Sequence, residues 1–373
     1  MIRQNLRCHL RNIPGWRTNR RIVVIESDDW GSIRMPSKET FTRLKNLGVD
    51  LESFDYARYN LNDTLASQKD LECLFDILDS EKDKNGNPCI FTAVSVVANP
   101  DFTKIRESGF KEYFFEPFTN TLKKYYPNEN VFKLWKEGIE KNLFVPQFHG
   151  REHLNVSAWL KDLRTGGRST NKAFDEGMWG FVPDGTGKFH VEYQAAFQLT
   201  NISDLQEHKK IIIEGLNLFE TLFGYRAKYF VPPNGSINNS LNRVLAEYGI
   251  SCRSTDKLQN ESTNFGRTKK VIHWLGQKDE HGILYITRNC FFEPSQGGND
   301  WIDRCLNDIK IAFRWNKPAI ISSHRVNYIG VHNPNNRDNS LKMLKTLLIT
   351  IKKAWPDIEY MSTDKFGELL NNQ

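Results

Sequence analysis

The sequence contains no apolar run long enough to span a membrane, no closely spaced cysteine pair and no low-complexity linker. A membrane-spanning helix needs about 18 or more consecutive apolar residues, so none is predicted. The six cysteines are widely scattered, which argues against a CxxC site and indicates reduced thiols. The basic N-terminus has no apolar core, so a secretory signal is not predicted. Together, these absences predict a cytoplasmic enzyme.

The net charge is mildly positive, +6 over 373 residues, which does not by itself indicate a nucleic-acid-binding protein. Arginines at positions 3, 7, 11, 17, 20 and 21 predict a solvated basic arm over residues 1–20. Contact of this arm with an anionic lipid or a nucleic acid is the alternative. Residues 21–370 are predicted to form one domain, and the oligomeric state is left open.

Short apolar runs alternate with amphipathic stretches, which predicts β–α–β units around a parallel sheet. Several runs are apolar almost throughout, as expected of strands that are covered on both faces. The predicted strands are Arg21–Ser27, Cys89–Val97, Leu143–Phe148, Lys228–Val231, Ile283–Arg288, Ala319–Ser322 and Ile358–Ser362, with shorter runs near 251–254 and 271–275. The predicted helices are Leu71–Leu78, Phe132–Lys141, Lys209–Leu222, Asn239–Tyr248, Trp301–Trp315 and Ser340–Trp355.

Conspicuous polar groups follow four of these strands, and this distribution favours a barrel over an open sheet. In a parallel α/β barrel the carboxyl ends of all strands meet at one rim, where the active sites of barrel enzymes lie. The groups are therefore expected to converge although they are far apart in sequence. They are Asp28-Asp29-Trp30, His149 to His153, Pro232-Pro233-Asn234-Gly235, and His324-Arg325.

The adjacent carboxylates Asp28 and Asp29 are candidates for a metal site. Neighbouring residues of a strand point to opposite faces, so both can reach the rim only where the chain leaves the strand, as Gly31 permits. Two adjacent carboxylates repel each other and ionise easily only near a cation. An ordinary turn or helix cap is the alternative interpretation.

His149 and His153 are spaced i, i+4, which would place both imidazoles on one helical face, close enough to share a cation. Two surface histidines without a ligand are the alternative. The same residues form an HxxEH pattern, in which Glu152 would be the base of a metallopeptidase. Pro146 and Gly150 argue against a helix through His149, so the metallopeptidase is the less favoured hypothesis.

His324 follows a strand and could be a general acid, a third histidine ligand or a buried neutral side chain. An imidazole pKa near 6.5 suits proton donation at neutral pH. Arg325 beside it could bind an anionic part of a substrate or pair with a surface carboxylate.

Taken in order, these motifs resemble the polysaccharide deacetylase family, the NodB-homology or carbohydrate esterase 4 group. The family pattern is a DD pair after the first strand, HxxxH after the third, an RPPxG loop and a late LxH. The matching residues here are Asp28-Asp29, His149 and His153, Pro232-Pro233-Asn234-Gly235, and Ser323-His324. The resemblance covers roughly residues 20–370, including the closing strand and helix.

The resemblance implies a distorted (β/α)7-type barrel with long loop insertions that removes an acyl group from a carbohydrate or glycan precursor. By position, Asp28 would be the base and His324 the general acid. Asp29, His149 and His153 would bind one divalent metal ion. The ligand set suits Zn²⁺, with Co²⁺, Ni²⁺, Mn²⁺ or Fe²⁺ possible. Trp30 could stack on the sugar ring, with core packing as the favoured alternative, and the backbone N–H of Asn234 could stabilise the oxyanion. No nucleic-acid partner is expected.

The chain departs from the family pattern at Val231, which stands where the family has an arginine that orients the base. Arg288 or Arg325 are the candidate replacements. The departure leaves open an inactive deacetylase-like barrel that binds sugar without turnover. The insertions, roughly residues 34–85, 100–140 and 160–200, are expected to shape a wall of the substrate site.

Overall fold

A parallel nine-stranded sheet forms the centre of the protein in the computed structural model, which describes residues 2–184, 192–298 and 300–372. Two short antiparallel pairs lie outside it. The strands of the central sheet are β1 (Ile22–Trp30), β2 (Phe91–Val96), β5 (Phe144–Gly150), β6 (Tyr229–Phe230), β7 (Cys252–Ser254), β10 (Leu284–Ile286), β11 (Cys290–Phe291), β12 (Ala319–His324) and β13 (Glu359–Tyr360). The outer pairs are β3 (Ala98–Pro100) with β4 (Phe115–Pro117), and β8 (Leu258–Ser262) with β9 (Thr268–Ile272).

The sheet curls into a barrel because its two edge strands are consecutive parts of one segment. The strand order is β10-β7-β6-β5-β2-β1-β12-β11, and β13 pairs with the start of β1. Only three residues separate β10 from β11, a distance of about 14 Å at full extension. The segment 283–292 therefore pairs first with β7 and then with β12, which leaves seven strand positions around the barrel. The expected distorted α/β barrel is confirmed.

The apolar run of β1 packs on both sides of the sheet. Val23 and Ile25 belong to the outer core between the sheet and its helices, whereas Ile22 and Val24 belong to the cluster inside the barrel. This alternation follows from the two-residue period of a strand. A strand covered on both faces thus explains the continuous run that the sequence shows.

Helices cover the outside of the barrel. They are α1 (Ile2–Asn12), α2 (Lys38–Asn46), α3 (Tyr56–Asn62), α4 (Gln68–Ser80), α5 (Phe102–Glu107), α6 (Phe118–Tyr125), α7 (Val131–Glu140), α8 (Val156–Thr165), α9 (Arg168–Asp175), α10 (Asp204–Phe223), α11 (Asn242–Glu247), α12 (Trp301–Arg314), α13 (Pro334–Ala354) and α14 (Thr363–Asn371). Among the described residues, no helix is long and apolar enough to cross a membrane.

The N-terminal segment packs against the barrel. The Sγ of Cys8 in α1 donates to Oδ1 of Asp308 in α12 at 3.0 Å. Farther along, Nζ of Lys317 donates to the carbonyl oxygens of Pro14, Gly15 and Trp16 at 2.9, 2.5 and 2.6 Å. These contacts tie residues 8–16 to the domain, and the division into an arm and one barrel domain stays a prediction.

Candidate active site

A cavity of about 420 Å³ opens at the carboxyl ends of the barrel strands. Seven of the nine residues singled out in the sequence line it, which brings together groups nearly 300 positions apart. These are Asp28, Asp29, His149, His153, Asn234, Arg288 and His324. The insertions supply part of its wall, through Arg34, Phe54, Asp55, Tyr56, Tyr59, Glu192 and Gln194. Residues 185–191 of the third insertion lie outside the described part of the chain.

An irregular end of β1 turns both adjacent carboxylates towards the cavity. The pairing of β1 with β2 shifts register between Ser27 and Trp30, and Asp29 has a φ of 76°. A positive φ is uncommon for a residue with a side chain, so the surrounding fold must hold Asp29 in this conformation. Gly31 follows with a φ of 81°, where an added Cβ would lie 2.3 Å from the carbonyl oxygen of Val96. The local backbone thus presents Asp28 and Asp29 on the same side.

The two histidines come together through a strand end and a bend. His149 ends β5, Gly150 follows with a φ of 124°, and α8 begins only at Val156. The prediction that they share a helical face is therefore wrong, because the chain is extended at His149. Their ring centroids nevertheless lie 5.0 Å apart.

Asp29, His149 and His153 fit a divalent metal ion. The Nε2 atoms of His149 and His153 lie 3.4 and 3.2 Å from Oδ1 of Asp29. Nδ1 of His149 donates to the carbonyl oxygen of Val231 at 2.7 Å, which leaves a lone pair on the buried Nε2, an atom without a hydrogen-bond partner. A lone pair facing a carboxylate is repulsive unless a cation lies between them. Ligands of a tetrahedral zinc ion are about 3.4 Å apart, close to these separations.

The surroundings of Asp29 and His153 favour an ionised carboxylate and a neutral imidazole, the forms that bind metal. Burial opposes ionisation of Asp29, but the charge of Arg34 and the proximity of the two histidines hold its pKa well below the usual range. Nη2 of Arg34 lies 3.1 Å from Oδ2 of Asp29. Burial and the Arg34 charge lower the pKa of His153 to about 4.

Asp28 is bound by Arg288 through two hydrogen bonds. Nη1 and Nη2 of Arg288 donate to its two carboxylate oxygens at 2.6 and 2.7 Å, and Nε donates to Oε2 of the buried Glu26 at 2.5 Å. Burial raises the pKa of Asp28, but Arg288 outweighs it and the net shift is downward. Arg288 lies between β10 and β11, where the closing segment changes partners. An arginine therefore orients Asp28 although Val231 occupies the motif position.

His324 ends β12 and is held by a carboxylate that the sequence analysis did not single out. Nδ1 of His324 lies 2.6 Å from Oε1 of Glu293, and Nε2 lies 3.9 Å from Oδ2 of Asp28. Arg58 donates to the other oxygen of Glu293 at 2.8 Å. Burial lowers the pKa of His324, but Glu293, aided by both aspartates, raises it to about 9. His324 is therefore a protonated side chain at neutral pH, with Nε2 beside Asp28.

The loop Pro232–Gly235 forms another part of the cavity wall. Asn234 has a φ of 52°, and its Nδ2 donates to Oε2 of Glu192 at 3.0 Å. This contact links the loop to the third insertion. It also directs the Asn234 side chain towards Glu192. The predicted oxyanion contact would therefore have to come from a backbone N–H of the loop.

Trp30 and Arg325 do not line the cavity, which corrects their assignment as substrate contacts. Trp30 is 1% exposed and packs edge-on against Trp135 and Phe144 in the outer core, because the register shift in β1 turns it away from the rim. Arg325 is fully buried and donates to both oxygens of Asp63 at 3.0 and 2.8 Å. Trp30 therefore belongs to the outer core, and Arg325 forms a buried ion pair with the first insertion.

We expect Arg325→Lys to lower the free energy of unfolding by about 1–2 kcal/mol, because lysine cannot make the paired hydrogen bonds to Asp63. The Michaelis constant for substrate should not change. Chemical denaturation together with steady-state kinetics measures both quantities. An increased Michaelis constant at unchanged stability would instead assign Arg325 to substrate binding.

Glu152 does not face the cavity, which argues against the HxxEH metallopeptidase. Its two carboxylate oxygens accept from Nε and Nη2 of Arg151 at 2.6 and 2.9 Å. Glu152 is 1% exposed and is not among the residues lining the cavity. A base must lie within hydrogen-bond reach of the attacking water, and Glu152 is held elsewhere.

Arg34, Glu293 and Gln194 also belong to the site, but they were not predicted from the sequence. Glu293 could have been predicted, because it directly follows the apolar residues Cys290–Phe292, just as Asp28, His149 and His324 follow apolar strands. Arg34 and Gln194 lie in irregular segments without periodicity. Nη1 of Arg34 donates to Oε1 of Gln194. The two residues are 160 positions apart, so no local sequence pattern predicts this contact.

The chain is similar in structure to proteins described as polysaccharide deacetylases. One, from Mycobacterium smegmatis, has 10% identity and a TM-score of 0.47, over 96% of this chain and 93% of the other. Another, from Pseudomonas aeruginosa PAO1, has 9% identity and a TM-score of 0.49, over 95% and 92%. A carbohydrate esterase 4 pseudoenzyme from Bacillus anthracis has 9% identity and a TM-score of 0.39, over 95% and 69%.

No protein-family model matches the sequence, and no curated protein is similar to it. Because the TM-scores of the structural matches lie below 0.5, they carry no argument about chemistry.

Proposed function

We propose that the protein is a metal-dependent hydrolase that removes an acyl group, N- or O-acetyl, from a carbohydrate or glycan precursor. One observation carries the proposal: a buried cluster of Asp29, His149 and His153 lies in one cavity with Asp28, which Arg288 binds, and His324, which Glu293 binds. A metal site, a base and an acid side by side are the parts that hydrolysis of an amide or ester requires.

Asp29, His149 and His153 would hold the ion, and three protein ligands suit a catalytic rather than a structural site. A bound divalent cation, Zn²⁺ by preference and Co²⁺, Ni²⁺, Mn²⁺ or Fe²⁺ otherwise, supplies a Lewis acid that polarises a carbonyl and acidifies water. Val231 fixes the tautomer of His149 through its carbonyl oxygen, and Arg34 orients Asp29.

The remaining residues move protons. Asp28, oriented by Arg288, accepts a proton from the water that attacks the acyl carbon. His324, oriented by Glu293, donates a proton from Nε2 to the leaving nitrogen or oxygen as its bond to the acyl carbon breaks. A backbone N–H near Asn234 donates to the developing oxyanion. Asp28 and His324 thus begin the reaction in opposite protonation states, as an acid–base pair must.

We propose an acylated sugar as the substrate. Aromatic side chains at the cavity, Phe54 and Tyr56, offer surfaces on which a sugar ring can stack. A cytoplasmic location is supported by the six unpaired cysteines, which suit a reducing compartment.

Acetate release from a panel of N- and O-acetylated sugars by the metal-loaded protein tests the function. We expect turnover that a chelator abolishes. The alternative, a sugar-binding barrel without turnover, rested on Val231, and the placement of Arg288 on Asp28 weakens it. Sugar binding with bound metal and no acetate from any member of the panel would favour that alternative.

The pH profile should show an alkaline limb near pH 9, because His324 donates only when protonated and its raised pKa is about 9. Activity is present below this pKa and is lost as the pH rises through it. Glu293→Gln removes the main cause of the elevation, so the limb should move to about pH 6.5 or below, with roughly 30-fold lower kcat at pH 8. Glu293→Asp should restore part of the shift. A limb unmoved by Glu293→Gln would contradict the role of His324.

A further inference from the structure

An exposed apolar surface lies on one flank of the protein, formed by α1, the β8–β9 hairpin and the segments that follow them. Cys8 and Asn12 face inward from α1, whereas Leu6 and Leu10 are exposed. We name this region the flank surface. Its apolar members and their exposed fractions are Leu6 (59%), Leu10 (49%), Ile13 (42%), Leu258 (47%), Ile272 (61%) and Trp274 (40%).

Hydrogen bonds join the two halves of the flank surface. Nζ of Lys257 donates to the carbonyl oxygen of Leu10, and the backbone N–H of Trp16 donates to the carbonyl oxygen of Leu275 at 2.8 Å. Within the hairpin, Leu258 pairs directly with Ile272, so their exposed side chains share one face. The apolar residues of the helix and of the hairpin are therefore neighbours.

The flank surface is strongly basic. Arg7 and Arg17 are exposed beside Leu6, Leu10 and Ile13, and Lys270 shares the hairpin face of Ile272. The sequence of α1 contains no acidic residue. Between positions 257 and 272 the one acidic residue is Glu261, which accepts from the backbone N–H of Asn239 at 2.9 Å. Exposed apolar side chains among exposed cations match an anionic, partly apolar partner.

The flank surface adjoins the mouth of the active-site cavity. The guanidinium of Arg11 in α1 stacks over the ring of Phe291, 4.7 Å from its centroid, and Phe291 lines the cavity. Asp256, which also lines the cavity, directly precedes Lys257. A partner on this flank would therefore lie next to the entrance.

We propose that the flank surface docks onto an anionic lipid bilayer. Leu6, Leu10, Leu258 and Ile272 enter the boundary between headgroups and acyl chains, and the arginines and lysines pair with lipid phosphates. Docking places the cavity mouth at the membrane surface, where it can receive a sugar carried on a lipid. That substrate class, a lipid-linked acylated glycan, rests on the proposed function, whereas lipid binding does not.

Co-sedimentation with vesicles of phosphatidylglycerol and phosphatidylcholine, compared with phosphatidylcholine alone, tests the proposal on the full chain. We expect binding to the anionic vesicles that weakens at high salt. Leu10→Glu and Leu258→Glu should each weaken it about tenfold, since each replaces an inserted apolar side chain by a charge. Leu47→Glu is the matched control, because Leu47 is also 47% exposed but lies at the end of α2, and it should bind normally.

Thermal unfolding of each variant separates lost binding from lost folding, since these side chains are exposed and the melting temperatures should agree with that of the parent. Absence of binding to the anionic vesicles would overturn the proposal, as would equal weakening by Leu47→Glu. A dimer by sedimentation that Leu10→Glu dissociates would assign the flank surface to a second copy and also overturn it. Because no turnover is measured, failure here leaves the proposed hydrolase untouched.

Discussion

Asp28→Asn should lower kcat for acyl hydrolysis by about 10² to 10⁴ and leave metal binding intact. Asparagine occupies the same volume but cannot accept a proton from water. Arg288 keeps Glu26 as a partner at 2.5 Å, so the variant does not leave a buried guanidinium without a counter-charge. Steady-state kinetics of acetate release, with metal content measured on the same dialysed sample, gives both quantities.

Asp256→Asn provides the control for this experiment. Asp256 also lines the cavity, but it is exposed and has no place in the acid–base pair. Its substitution should change kcat only a few-fold. Near-parental turnover by Asp28→Asn, or an equal loss in both variants, would show that Asp28 is not the base.

His153→Gln should weaken Zn²⁺ binding by about 10² or more, because one of three ligands is lost. Zinc bound to the folded protein at 100 times its dissociation constant adds about 2.7 kcal/mol to the free energy of unfolding. The parent should therefore melt several degrees higher with zinc than with a chelator. In His153→Gln this difference should nearly vanish. Calorimetric titration and thermal unfolding measure these effects without requiring a known substrate.

His208→Gln is a closely matched control. His208 and His153 are both 2% exposed, and burial lowers the pKa of each to about 4. His208 packs against Phe197 and is not one of the three clustered ligands. It should keep the zinc-dependent stabilisation. Loss of that stabilisation in His208→Gln, or its retention in His153→Gln, would refute the metal site.

The strand ends were predictable because parallel strands of a barrel expose their carboxyl termini at a common rim. Asp28, His149 and His324 each follow an apolar run, so their convergence follows from fold class alone. Trp30 was assigned wrongly because the face of the sheet to which each residue at the end of β1 points depends on the register shift against β2. That shift is set by tertiary pairing, and alternation along β1 alone does not reveal it.

The partners of these residues could not be read from sequence. Arg288 and Asp28 are 260 positions apart, and Arg34 reaches Asp29 from an irregular insertion. Charged side chains are common on any surface, so only the packed fold shows which are buried against each other. The same holds for His149 and His153. Their imidazoles are close because the chain bends after His149, where Gly150 has a positive φ, and not because they share a helical face.

The segment 283–292 both closes the barrel and carries Arg288, the counter-charge of Asp28. Arg288 reaches Asp28 and Glu26 only where this segment leaves β7 and joins β12. Without this joint, Glu26 and Asp28 at the end of β1 would lack their main counter-charge, whereas Asp29 would keep Arg34. The segment that closes the barrel therefore also orients Asp28, so a substitution that loosens this segment should disturb both the barrel and the proposed base.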